Sequence, residues 1–512
     1  MSDDGPAGAN DDRDPTGNDG PADGPANGDG LADGPTSDDW PTGASGDREP
    51  TSDDGPDSPG QTSDDGPDGS GPTGNDGPTS DESRGYLATH AAHIAVVGVL
   101  VAYPLLYRVL VSLSVGVPGT GVPLGQLLDV VLPRVTTMIV VLYVGLFAMS
   151  FDFVSGYTGY LSFGHAMFYG IGAYFVVLAG SGKVPGLAAE THFMLLLVLG
   201  AVLAALVALA VGAVSFRLTG VYFAMVTLGF AEVAHVFVRN WDYVGSNPRD
   251  GAGVVGREGF AVGYPGLPDF LDALPGFLTD PREVRLGRLA GDGVENLLGT
   301  GLDLEPAVVS YYAIGAVALL CYTAMQRIIH SPFGRVMVAI RENEERAEAV
   351  GYDTFRYKLG AFGISGFFAA IAGGLFAGYR RSVAPENTFD LFVTADALLA
   401  AIIGGFGTLA GPLFGHLFHE TIAGVLSTES HGLARVLRDE LPGGVLSAGV
   451  GEFTVLEFIN VFVDGRADLY LGLVFVLFVL YVPRGILGTL RNRLGGTVAE
   501  KLPERLDRYR RR

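Results

Sequence analysis

Cysteine is almost absent from this chain of 512 residues: Cys321 is the single one, and lysine occurs only at Lys183, Lys358 and Lys501. One cysteine excludes a disulfide framework, and its place inside an apolar run marks it as a small buried hydrophobe, not a reactive thiol. Fuel and catalytic motifs are missing too. No GxxxxGK[ST] phosphate loop occurs, since the one Gly-Lys pair, Gly182-Lys183, is followed by Val184. With no HExxH, no cysteine cluster and no GxSxG elbow, the sequence offers no catalytic residue, metal site or resident cofactor. A formal charge of −23 excludes the basic footprint of a nucleic-acid binder. No basic stretch followed by a short apolar run lies near Met1, so no signal peptide is expected.

What the sequence does have is 48% hydrophobic residues, an odd companion to so much negative charge. The two are segregated. Residues 1–84 hold 22 Asp and Glu against Arg13, Arg48 and Arg84, a net of −19, leaving −4 for the rest. That tail repeats Asp, Gly, Pro, Ser, Thr and Asn and has almost nothing apolar to bury, so backbone entropy wins and it is expected to be disordered. Acidic loops and few lysines suit a high-salt organism.

Residues 85–488 read as an all-α, polytopic membrane domain, because a helix needs roughly 20 mainly apolar residues to cross a bilayer. Crossings are expected at Ile94–Val115, Val135–Phe153, Leu161–Ala179, Phe193–Val214, Val221–Val238, Ala307–Ala324, Leu359–Ala377, Asp396–Gly405, Leu409–Leu426 and Tyr470–Val482. Gly404, Gly405 and Gly407 interrupt the eighth and ninth, which read as short helices meeting at a glycine turn of the kind that lines a transport cavity. Basic residues fix the orientation. The tail 489–512 and the segment 325–358, with Arg327, Arg335, Arg341, Arg346, Arg356 and Lys358, belong in the cytoplasm. The insertions 239–306 and 427–465 are acid-rich and belong outside. Ten crossings satisfy all of this, with both termini cytoplasmic.

Three constellations stand out, beside a charged segment. Ser331–Leu359 predicts one cytoplasmic helix: Pro332 suits a first turn, apolar Val336, Ala339, Ile340, Ala347 and Val350 recur at helical spacing, Glu342 precedes Arg346 by four, and Gly351 ends it. In Gly156–Tyr174, Ser162, Ala166 and Gly170 form a small-residue stripe that admits a close neighbour, and His165 on it faces protein or a water-filled path. In Arg217–Trp241, Glu232 lies deep in an apolar run, where an ionised carboxylate costs roughly 2.5 kcal/mol or more; it must face a cavity or find a donor, with His235 a candidate. In Thr394–Pro412, Asp396 reads as a helix start, ahead of the Gly404, Gly405, Gly407 break.

The stretches GYTGYLSFGHAMFYGIGAY, RLTGVYFAMVTLGFAEV, SPFGRVMVAIRENEERAEAVGYDTFRYKLGAFGISGFFAAIAGGLFA and ADALLAAIIGGFGTLAGPLFG resemble the LivM-type permease subunits of branched-chain amino-acid ABC importers, over roughly Val135–Leu487. The resemblance implies that AIRENEERAEAVGYD is a coupling loop docking on an ATP-binding subunit. Arg341, Glu342, Asn343, Glu344, Ala347, Glu348, Ala349 and Gly351 would then form the contact surface. It also implies a LivH-like second permease subunit, two ABC ATPase subunits that alone bind ATP, and an extracellular solute-binding protein. The cargo implied is leucine, isoleucine, valine or a related hydrophobic amino acid. Same-family permeases for urea, short-chain amides or sugars, and an ion-coupled carrier using His165 and Glu232, remain the alternatives. The N-terminal tail and both insertions depart from the family, and the chain resembles one from a halophilic archaeon.

Overall fold

The computed structural model describes residues 80–113, 124–188, 191–245, 247–253 and 305–426, and, towards the C-terminus, 438, 443–447, 449–450, 453–458, 467–482 and 485–489. The tail up to residue 79, most of the insertion after Gly253 and the basic stretch after residue 489 lie outside the described residues. Helix α1 runs from Ser80 to Val111, taking in the end of the stretch read as tail.

Beyond it come α2 (Leu124–Val131), α3 (Val135–Thr158), α4 (Ala166–Gly180), α5 (Phe193–Ser215) and α6 (Val221–Arg239). A two-residue strand β1 (Ala252–Gly253) follows, then α7 (Pro306–His330), the charged helices α8 (Pro332–Glu342) and α9 (Glu344–Ala349), and α10 (Thr354–Arg380). Strand β2 (Ser382–Val383), α11 (Leu391–Gly404), α12 (Gly411–Leu426) and α13 (Ala467–Tyr481) complete the main elements. Among the described residues, six stretches are long and apolar enough to cross a membrane: Leu124–Thr158, Phe193–Ser215, Val221–Arg239, Pro306–His330, Thr354–Arg380 and Pro385–Gly404. Shorter apolar helices cover Val96–Val111, Ala166–Gly180 and Leu469–Phe478.

Helix α10 lies at the centre, packed against α3, α4 and α5. Its contact with α4 is made by glycine: a Cβ on Gly172 would stand 2.0 Å from the Ala370 carbonyl oxygen, and one on Gly373 1.9 Å from that of Tyr169. Close backbone approach supplies the packing that hydrophobic exclusion cannot supply between helices in lipid. The outer faces of α5 and α6 expose Leu195, Val198, Val202, Leu206, Val221, Tyr222, Met225 and Val233, a surface suited to acyl chains and not to water.

The two ends of the helices differ. At one, β1 pairs antiparallel with β2, Arg239 reaches Glu386 and Arg108 reaches Glu305. At the other lie the end of α3, the link into α4, and the charged helices. The insertion after Arg239 therefore emerges at the end opposite the charged segment.

The predicted single helix over Ser331–Leu359 is not what forms. The chain breaks at Asn343, which is extended (φ −165°, ψ 106°) and closes α8 while capping α9: its Oδ1 accepts from the Arg346 amide at 2.7 Å. A short amide side chain that satisfies a free N–H at a helix start outcompetes helix continuation. Glu342 and Arg346 therefore sit on different helices. Gly351 (φ +99°) turns the chain after α9, and Lys358 and Leu359 belong to α10. The span predicted from Leu161 begins only at Ala166, which leaves Ser162 in the preceding link.

Candidate functional site

The charged segment is fastened to the helices at two points. At the first, Ser331 starts α8 by accepting from the Gly334 amide, with Pro332 in the first turn, and the helix carries Arg341 to its far end. The Arg341 guanidinium donates from Nη1 to the Gly156 carbonyl oxygen in the last turn of α3, at 2.5 Å. It also touches the break between α11 and α12, for a Cβ on Gly407 would stand 2.7 Å from Nη1. Gly407 has φ +78°, so both its backbone and its neighbour favour glycine.

A carboxylate that the sequence reading missed holds the same break from the other side. Asp152, fully buried in α3, accepts from the Gly407 amide on Oδ1 at 2.8 Å, and Arg341 is near enough for its charge to act on it. Two residues further on, the Leu409 amide donates to the Tyr157 hydroxyl at 3.1 Å. The unwound backbone is thus satisfied by α3, as backbone at membrane depth must be. A lone carboxylate in the apolar run Val135–Phe153 is the signal that could have found Asp152; it is the one that singled out Glu232.

The second fastening is Glu344, at the start of α9. Its carboxylate accepts from Lys358 Nζ of α10, from the Tyr160 hydroxyl at 2.6 Å and from Thr354 Oγ1 at 3.1 Å. Lys358 is buried, 3.1 Å from the Tyr160 hydroxyl and 4.7 Å from the centroid of that ring, a cation–π position. Burial opposes ionisation of Glu344, but the Lys358 and Tyr160 hydrogen bonds outweigh it and hold the carboxyl below its ordinary range. Burial first, then the hydrogen bond to Glu344 and the negative charges of Glu344 and Glu348, push the Tyr160 hydroxyl up.

Between these points Val336, Ile340 and Ala347 bury a small apolar cluster with Tyr357 packed on it. Of the eight residues expected to form a contact surface, Arg341, Asn343, Glu344, Ala347 and Glu348 are thus engaged by the protein itself, Glu348 by accepting from Thr354 Oγ1 at 2.6 Å. All eight except Glu344 and Ala347 remain exposed. Val350 and Tyr352, 74% and 43% exposed, stand beside them, giving an apolar tip with a charged rim.

The other candidates fall apart from this site. His165 faces protein: it is fully buried, ringed by Phe147, Phe151 and Phe168, with Nε2 at 3.2 Å from Ser150 Oγ and Ser365 Oγ. It ties the start of α4 to the second half of α3 and the middle of α10. The small residues near it do admit a neighbour, since the Ala166 amide donates to Thr394 Oγ1 of α11 at 2.9 Å. Glu232 is 60% exposed on the outer face of α6, and its Oε2 is 3.7 Å from His235 Nδ1, beyond hydrogen-bond range. Among the described residues its charged partner is thus His235, at ion-pair and not hydrogen-bond distance. Asp396 does not start a helix: α11 begins at Leu391, capped by Asp390, whose Oδ1 accepts from the Phe392 amide at 2.9 Å. Gly404 and Gly405 complete the break beside Gly407, where α11 and α12 touch so closely that a Cβ on Gly404 would meet the Gly411 carbonyl at 1.8 Å.

Apolar outer faces, an interrupted helix pair clipped by a buried carboxylate, and a charged segment packed against that interruption define a polytopic helical membrane protein. The family described as "Branched-chain amino acid transport system / permease component" matches residues 134–431, and the chain belongs to it. Its curated relatives include the high-affinity branched-chain amino acid transport system permease proteins LivM of Salmonella typhimurium and Escherichia coli. Each is 28% identical over 261 residues, 51% of this chain and 56% of the relative. The fructose import permease of Rhizobium meliloti is 28% identical over 142 residues, 27% of this chain and 38% of that one. The chain thus spans about half the length of the LivM relatives it matches. No solved structure matches it.

Proposed function

We propose that this chain is the membrane-spanning subunit of an ATP-driven importer, and that it forms part of the path for leucine, isoleucine, valine or a related hydrophobic amino acid. The observation that carries the reading is the Arg341 contact. A charged segment built to meet a soluble partner is bonded to α3 and lies against the place where two helices are interrupted, so a push on the segment reaches the break without passing through lipid. ATPase subunits supply the push, docking on the tip of Val350 and Tyr352 and its rim of Glu342, Glu348 and Gly351, and rigid-body movement of packed helices carries it inward. No cofactor is needed in this chain, because ATP is bound and cleaved by the partners.

The same reading places the chain in the cell membrane, crossing ten times with both termini and the charged segment in the cytoplasm. The remaining partners are a LivH-like second permease subunit and an extracellular solute-binding protein that selects the cargo. Glu232, on an outer apolar face, suits the seam with that second subunit. The fructose import permease among the relatives favours a sugar as the second reading of cargo, with the same coupling.

Replacing Glu344 and Gly351 together by bulky residues of altered charge tests the proposal. Membrane insertion should persist while ATP-dependent uptake of labelled leucine is lost; undiminished uptake would contradict it.

A further inference from the structure

The hairpin of α11 and α12 carries a second group of ionisable side chains, separate from the glycine break. His416, His419 and Glu420 occupy positions i, i+3 and i+4 of α12 and project from one face. One ligand atom from each, an imidazole nitrogen or a carboxylate oxygen, lies within 4.8 Å of the other two. The imidazoles stack with centroids 5.9 Å apart and planes 17° from parallel. His416 Nε2 is 3.6 Å from Glu420 Oε1, too far for a hydrogen bond. His416 is only 4% exposed, and neither its Nε2 nor Nδ1 of His419 has a hydrogen-bond partner. Asp396 of α11 is near enough to His419 and Glu420 for their charges to act on one another.

An unpaired imidazole nitrogen in a buried place costs about 1–3 kcal/mol, and two converge here on carboxylates. Two nitrogens and one or two carboxylate oxygens are the donor set of zinc-class ions, whereas calcium and magnesium take oxygen alone. Charge agrees with this. Two neutral imidazoles, two carboxylates and one divalent cation sum to zero, the state an apolar surrounding tolerates best. The ligand atoms, within 4.8 Å of one another, must close to the roughly 3.4 Å that tetrahedral ligands at about 2.1 Å require. We propose that His416, His419 and Glu420 of α12 bind a divalent transition-metal ion of the zinc class, with the Asp396 carboxylate on α11 helping to balance its charge. The ion sits on α12 partway along the hairpin, away from its glycine turn, and its charge attracts Asp396 of α11.

Cobalt(II) titration of the full chain tests this, with the protein in nanodiscs, purified through a tag free of histidine and stripped with chelator. The expected result is one Co²⁺ per chain with the visible absorption of tetrahedral coordination, displaced by one Zn²⁺. Affinity should fall at least about tenfold in His416→Ala, His419→Ala and Glu420→Gln, and stay unchanged in His192→Ala. Wild-type protein that binds cobalt no better than the His416→Ala/His419→Ala double variant would overturn the site. Thermal unfolding of the wild type gives a readout independent of any variant. Zn²⁺ should raise the midpoint, Mg²⁺ should not, and chelator should reverse the rise; no shift with Zn²⁺ would overturn the proposal.

Discussion

Arg341 and Gly156 are 185 positions apart in sequence, yet the guanidinium of one donates to the carbonyl oxygen of the other at 2.5 Å. This bond links the charged segment to α3, and the same guanidinium lies against Gly407 in the break between α11 and α12.

Replacing Arg341 by methionine keeps much of the stem and removes the charged donor. A hydrogen bond to a charged group is worth about 1.5–3 kcal/mol, so ATP-dependent uptake should fall by about tenfold or more. Binding of the ATPase subunits, measured by co-purification, should hardly change, because Arg341 is turned toward the helices. Equal loss of both would assign it to the docking surface.

Gly407→Ala meets two penalties. The left-handed backbone costs a non-glycine residue about 1–3 kcal/mol, and the new methyl would press on Arg341 Nη1 at 2.7 Å. Thermal unfolding in detergent should show a lowered midpoint, while alanine at Gly424, where no heavy atom lies within reach of a Cβ, should leave it in place.

The Glu344 anchor gives a sign for pH. Its carboxyl titrates below the ordinary value of 4.5, so the stability it contributes is complete above that value and is lost as pH falls through the lower, folded one. Amide exchange or proteolysis of the α8–α9 segment should be flat from neutral pH down to the ordinary glutamate range and rise below it. Glu344→Gln should be more open at neutral pH and lose this acid limb, and a variant that keeps the limb would show that another group produces it.

Removal of residues 1–79, which stops just short of α1, should change uptake by no more than about twofold, as expected of a polar tail with nothing to bury. Complete loss would give the tail a role beyond solvation.

Local pattern made much of this fold legible. Apolar runs located the helices, and Gly404, Gly405 and Gly407 marked the interruption before α12. Basic residues set Ser331–Leu359 apart as one charged unit. Its internal break was missed because apolar spacing runs on across Asn343; the run Asn343-Glu344-Glu345, a capping residue before an acidic first turn, was the local sign. The anchors were out of reach for a different reason. Asp152 meets Gly407, and Tyr160 meets Glu344, only after the chain has folded, and neither periodicity nor spacing encodes such distant pairs. Glu232 and His165 show the converse: an ionisable residue in an apolar run can end on an outer face or inside an aromatic cage, and only the packing distinguishes them.

The central claim is that an external motor moves these helices through the charged segment. Uptake of labelled leucine into proteoliposomes, with the ATPase subunits and solute-binding protein supplied, measures it most directly. Accumulation that needs hydrolysable ATP and disappears when the ATPases are left out is the result this account predicts. Uptake by the permease under an ion gradient, with no nucleotide-hydrolysing subunit present, would contradict it.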